Sequence, residues 1–107
     1  MGGAGGVCGG ANLCPKLYVD LYEAAVAKDF NKVMTLHSQV MGITSTLYRV
    51  GRCSAAFIKG LKSALRILGI CDDYIAEPFH RFREEERERV RSILTMLGIS
   101  KEHPTPV

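Results

Sequence analysis

The chemistry open to this sequence rests on few groups: Cys8, Cys14, Cys53 and Cys71, three histidines (His37, His80, His103), and a glycine-rich opening. No two cysteines form a CxxC pair, and their spacings fit no zinc module. The histidines are scattered, so no metal site and no cofactor are expected. A phosphate-binding loop requires GxxxxGK[ST], because its lysine must reach the outer phosphates. Gly5 and Gly10 have the right separation, but Ala11 and Asn12 follow. A dinucleotide fingerprint fails too, since Gly3 and Gly5 are followed by Cys8 where the third glycine belongs. Cys8 beside a helix start could be an activated thiol, yet no histidine is near it in sequence. Lys59 and Lys62 are read as solvated, because a nucleophilic lysine needs a desolvated pocket. The residues alone therefore yield no catalytic constellation.

The elements that would position these groups are helical. Pro15 suits the first turn of a helix, where its missing N–H costs nothing, and Leu17, Leu21, Ala24 and Ala25 line one face. Asp29 is placed to cap a second helix from Phe30. Its stripe is Phe30, Val33, Met34, His37, Val40 and Met41, extended by Leu47, with Gly51 as its end. On that stripe His37 reads as a core or boundary histidine rather than a ligand. Ser54 is read as the N-cap of a third helix, with Ile58, Leu61, Leu65 and Leu68 buried and Lys59, Lys62, Ser63 and Arg66 opposite. Leu68-Gly69-Ile70 and Leu97-Gly98-Ile99 read as left-handed caps whose isoleucines pack back on the helix. "CDDYIAEPF" is a connector. A fourth helix follows, with Glu84, Glu85 and Glu86 at its positive end, Val90, Ile93, Leu94 and Leu97 inward, and pairs such as Glu85–Arg89 on the solvated face. The glycine-rich start is left by its residues as a short strand with close backbone approach or as a loop.

Composition narrows the partners. A chain of 107 residues suits one small domain, and its 47% hydrophobic and 23% charged residues suit a folded one. A net charge of +3 without tryptophan gives no ground for nucleic-acid binding. No apolar run approaches the roughly 18–20 residues of a membrane span. No secretory signal opens the sequence, so a cytoplasmic location with free thiols is expected.

The order of the segments is more specific than any one of them. "GGVCGGANLCPKLYVDLYEAA", "KDF", "IKGLKSALRILGI", "AEPF" and "EEERERVRSILTMLGI" together resemble the C-terminal third of the dihydrodipicolinate synthase / N-acetylneuraminate lyase family, from Gly3 to Ile99. The resemblance implies a mainly α chain that is a C-terminal fragment of a (β/α)8 TIM barrel. Residues 1–28 would be the last barrel strand and helix, 29–100 the helical C-terminal extension, and 101–107 a disordered tail. Met1 is then an internal methionine or an artificial start.

The family forms a Schiff base between a lysine of the sixth strand and a pyruvate-type 2-oxo acid, assisted by a tyrosine of the fifth. A Gly-Thr-Thr-type motif near the second strand holds the carboxylate. None of those segments is present, so the chain is expected to be inactive alone, with the 2-oxo acid as substrate of a full-length, homo-oligomeric enzyme. Cys8, Gly9 and Gly10 match the strand end that faces the substrate pocket. Gly9 lacks the hydroxyl of the serine that some lyases carry there. The alternative reading is a free-standing α-helical interaction module.

Overall fold

The computed structural model describes residues 2–51 and 55–104. Among these residues, four α-helices carry the structure: α1 (Pro15–Val26), α2 (Phe30–Thr46), α3 (Ala56–Ile67) and α4 (Glu84–Leu97), with 3-10 turns at Gly9–Asn12 and Leu47–Arg49. The mainly α class expected from the sequence is what the chain forms. Residues 2–8 carry no regular structure, and no strand is formed among the described residues. A strand is held by a neighbour's hydrogen-bond ladder, and no described segment supplies one to "GGVCGG".

Local chemistry sets the helix ends. Pro15 is the first residue of α1. Asp29 Oδ1 accepts the Lys32 N–H at 3.2 Å and caps α2. Both Leu-Gly-Ile segments close as Schellman motifs. The Ile70 N–H donates to Leu65 O and the Ile99 N–H to Leu94 O, each at 2.9 Å, with Gly69 and Gly98 left-handed (φ 76° and 74°). Ile99 packs inward as expected, at 4% exposure, whereas Ile70 stays out at 59%. The first helix ends the same way without glycine. Lys28 adopts φ 56°, and the Asp29 N–H reaches Ala24 O.

The core joins Leu13, Leu17, Ile43, Leu47, Leu61, Leu65, Val90 and Leu94. α1 lies along α2, while α3 packs against α4 and the Leu47–Arg49 turn. α2 departs from its expected stripe. Phe30 (71%), Met34 (70%), His37 and Met41 are exposed, and Leu36, Val40, Ile43 and Leu47 turn inward. The two apolar rows lie roughly a third of a turn apart on the helix, and the core takes the one that continues into Leu47. His37 is thus a surface residue, not a core one. α2 also stops before Gly51. Thr46 Oγ1 donates back to Gly42 O at 2.6 Å, and the chain tightens into the Leu47–Arg49 turn; Gly51 serves a later bend at φ 90°.

In α3, Leu61, Leu65 and Leu68 are buried as expected. Ile58 is not, at 44% exposure, and Ser63 is buried at 1%. The buried face is centred on Gly60 and Ala64, one step round from the expected stripe, because these small residues let α3 approach the Leu47 backbone. Lys59 and Lys62 are half-buried and Arg66 is exposed. The Ser54 cap lies outside the described residues. In α4, Val90 and Leu94 are buried, with Ile93 and Leu97 packed beside them. Its surface pairs are Arg87–Glu84 and Arg91–Glu88, three residues apart, in place of Glu85–Arg89. Residues 101–104 are exposed, and the rest of the expected tail lies outside the described residues.

Candidate functional site

Cys8, Gly9 and Gly10 come together where the N-terminal segment turns into α1. The turn is closed locally: the Ala11 N–H donates to Cys8 O at 3.1 Å, and Gly10 O accepts from Leu13 (3.0 Å) and Cys14 (2.9 Å). Asn12 Nδ2 donates to Gly9 O at 3.0 Å. Both glycines are places of close approach. A Cβ on Gly9 would stand 2.5 Å from Phe57 Cζ, and one on Gly10 would run into the Tyr18 hydroxyl, with Tyr48 Oη at 2.9 Å. The glycines thus seat aromatic rings rather than a phosphate. Tyr48 and Phe57 meet edge to face, centroids 4.4 Å apart at 78°.

Both phenols are half-buried in this corner. The Tyr48 hydroxyl is buried, and Tyr18 Oη lies against the same glycine. Burial, then the neighbouring Tyr18, pushes Tyr48 up to about 12. Burial, then Cys8 and Cys14, raises Tyr18. Cys14 is fully buried, and burial pushes its thiol up to about 11. It is a packed, neutral thiol, far from the activated nucleophile that a lowered pKa would give. Cys8 is exposed at the rim.

From this corner a groove of about 610 Å³ runs along α1, between Gly5, Gly6 and Cys8 on one side and Tyr18, Val19 and Tyr22 on the other. It is almost entirely apolar. Val19, Tyr22 and Val26 on α1 and Phe30 and Met34 on α2 continue its exposed hydrophobic character. Patches of this kind mark places where another surface belongs.

Among the described residues, the corner gathers no further components of a catalytic site. No described lysine is buried. Lys59 Nζ lies 5.9 Å from the centroid of the Phe82 ring, a packing contact at the opposite edge of α3 from the cysteines' turn. Among the described residues no three histidine, cysteine or acidic side chains gather for a metal, and no helix is long and apolar enough to cross a membrane. Sequence reasoning found the glycines but missed Tyr18 and Tyr48, whose meeting across thirty residues leaves no local signal. It also missed a buried charge. Asp73, 2% exposed, accepts from Arg87 Nε at 2.8 Å and pairs with its Nη2 at 2.7 Å, with Arg66 (3.4 Å) and Arg81 (3.6 Å) beside it. Burial pushes this carboxyl up, but bonds and charge from Arg87, Asp72 and Arg66 outweigh it, and it sits below the usual carboxylate range.

Residues 1–97 match the model of the dihydrodipicolinate synthetase family. The chain is 28% identical over 101 residues to the 4-hydroxy-tetrahydrodipicolinate synthase of Bartonella bacilliformis, covering 94% of this chain and 33% of that protein. It is 26% identical to the synthase of the same name from Methanopyrus kandleri, over 95% of this chain and 32% of that one. The solved dihydrodipicolinate synthase of Bacteroides thetaiotaomicron superposes with a TM-score of 0.88 at 49% identity, over 90% of this chain and 32% of that chain. The chain thus spans about a third of the length of each relative.

Proposed function

Because the chain belongs to the dihydrodipicolinate synthetase family, we propose that it is the C-terminal portion of a Schiff-base-forming lyase acting on pyruvate-type 2-oxo acids, inactive by itself. The observation that carries this reading is the open apolar groove along α1, continued by Val26, Phe30 and Met34. In a (β/α)8 enzyme, α1 is the last barrel helix, and the groove is closed by preceding strands and helices. Residues 2–8 then pair as the eighth strand, and residues 29–100 form the extension. Cys8, Gly9 and Gly10 stand at the strand end facing the substrate. The Schiff-base lysine belongs to another segment, in keeping with the absence of a buried lysine among the described residues. The assembled enzyme is a cytoplasmic homo-oligomer, a setting compatible with free Cys8, Cys14 and Cys71.

A chimera tests the proposal. Residues 1–107 replace the matching segment of the Bacteroides thetaiotaomicron synthase. The chimera should trap one pyruvate per chain under borohydride and turn over, while the isolated chain should do neither. A stoichiometric pyruvate adduct on Lys59 or Lys62 of the isolated chain would overturn the reading. So would a folded chimera that traps no pyruvate.

A further inference from the structure

A second cavity, of about 220 Å³, lies between α3 and α4 and shares no residue with the groove along α1. Ser63, Arg66 and Ile67 line it from α3, and Glu84, Arg87 and Arg91 from α4. Three of its six walls are guanidinium groups. Arg87 is committed, since its Nε and Nη2 hold the buried Asp73. The other two are loosely engaged. Arg66 reaches Asp73 only at 3.4 Å through Nη1, and Arg91 meets exposed Glu88 at 3.6 Å through Nε. An arginine has five N–H donors, so both keep unspent donors at the cavity.

The second observation is Ser63. The residue lines the cavity at 1% exposure, and its hydroxyl is buried with no hydrogen-bond partner. Thr35, Thr44, Thr46, Ser92 and Thr95 each donate to the carbonyl four residues back in their helix; Ser63 does not. An orphaned buried hydroxyl is costly, and native structures rarely leave one without a partner. A donor held in a small cavity beside two under-used guanidinium groups fits a tetrahedral anion. With water occupying about 30 Å³ per molecule, the space also accommodates its hydration.

We propose that this cavity binds a small oxyanion of the phosphate class, with Ser63 Oγ donating to one oxygen and the guanidinium groups of Arg66 and Arg91 to others. Glu84 opposes it. Its carboxylate accepts from Arg87 Nη1 at 3.4 Å and faces the same space. The site is therefore modest in affinity and sensitive to ionic strength, and Glu84 gives its test a sign.

The experiment is calorimetric titration of the 107-residue chain with inorganic phosphate at fixed ionic strength. One saturable site is expected. Ser63→Ala and Arg91→Gln should each weaken it about tenfold, as befits losing one hydrogen bond to a charged partner. Glu84→Gln should tighten it. Arg89→Gln, on the same helix outside the cavity, should leave it unchanged, and matching circular dichroism melts show that each variant remains folded. A parallel titration with a small phosphomonoester identifies the source: tighter binding than phosphate assigns a phosphorylated metabolite, weaker binding the free ion. Absence of saturable binding, or equal loss in Arg89→Gln and Arg91→Gln, would sink the proposal, as would weaker binding by Glu84→Gln.

Discussion

Replacing Gly60 by alanine sets two effects of opposite sign against each other. In an unobstructed helix the change stabilises by about 1 kcal/mol. In α3 the new methyl would run into the Leu47 carbonyl oxygen, with Leu47 C at 3.4 Å and Cγ at 3.9 Å behind it. A backbone oxygen cannot rotate away as a side chain would, so α3 must retreat by about 1 Å to reach ordinary contact distance. Leu47 and Ala64 are fully buried at that seam and Leu61 nearly so. A gap of that width forfeits about a quarter to a half of each contact. Overpacking costs about 1–3 kcal/mol, and the opened seam places this site in the upper part of that range. After the helix gain is subtracted, the net loss is about 1–2 kcal/mol, a fall in melting temperature of about 5 °C or more. Gly42→Ala is the control. Its methyl would meet Leu97 Cδ2 at 3.6 Å, an ordinary contact, so the helix gain should remain and the melting temperature should rise. Thermal melts by far-ultraviolet circular dichroism compare the two. If Gly60→Ala melts at or above the parent, the close approach of α3 to Leu47 is not what fixes this seam.

Arg87→Gln strips Asp73 of its two shortest contacts and should cost about 3 kcal/mol at neutral pH, the lower end for breaking a buried pair, because Arg66 and Arg81 remain. Since the folded carboxyl sits below its ordinary value, the pair's contribution is complete above about pH 4 and declines as pH falls through the folded value. Urea melts should therefore show parent and variant converging in acid, and a constant gap would contradict the assignment. Alkylation of the native chain at pH 8, mapped by peptide mass spectrometry, should modify exposed Cys8 and Cys71 and spare Cys14, whose thiol is buried and pushed up to about 11. Lys28→Gly should stabilise by about 0.5–1 kcal/mol, because lysine at φ 56° bears a left-handed cost that glycine escapes; a lower urea midpoint would mean that the lysine is not strained there.

What the sequence disclosed was local. Pro15, Asp29, Gly69 and Gly98 each act within one turn of their own position, and each stands where their chemistry placed it. Faces were harder to read. α2 carries two apolar rows, and a hydrophobic period cannot tell which row meets a core contributed by other segments. The row beginning at Phe30, which carries His37, faces away, and the row of Leu36, Val40, Ile43 and Leu47 turns in. In α3, the burial of Ser63 follows from the smallness of Gly60 and Ala64, which matters only once the Leu47 turn is placed opposite. Of the candidate site, the glycines were legible as points of close approach, but what approaches them was not. Tyr18, Tyr48 and Phe57 come from three elements, just as Asp73 and its arginines come from α3, the connector and α4. Nothing in the spacing of such residues announces their meeting.

The α1–α2 hairpin is gripped at one end only. Leu17, Ile43 and Leu47 anchor its root, whereas every residue from Ala25 to Lys32 is exposed, and the chain measures 43 Å along its longest axis against 22 Å across. Such an arm behaves as a cantilever. Opening its tip breaks few apolar contacts, so amide exchange should be fastest around Lys28 and slow progressively toward Leu17 and Ile43. A surface seated against the outer half of the arm would damp that gradient without altering the root. Flattened exchange rates along α1 and early α2 would then report an occupied groove even if no change in average structure accompanied it.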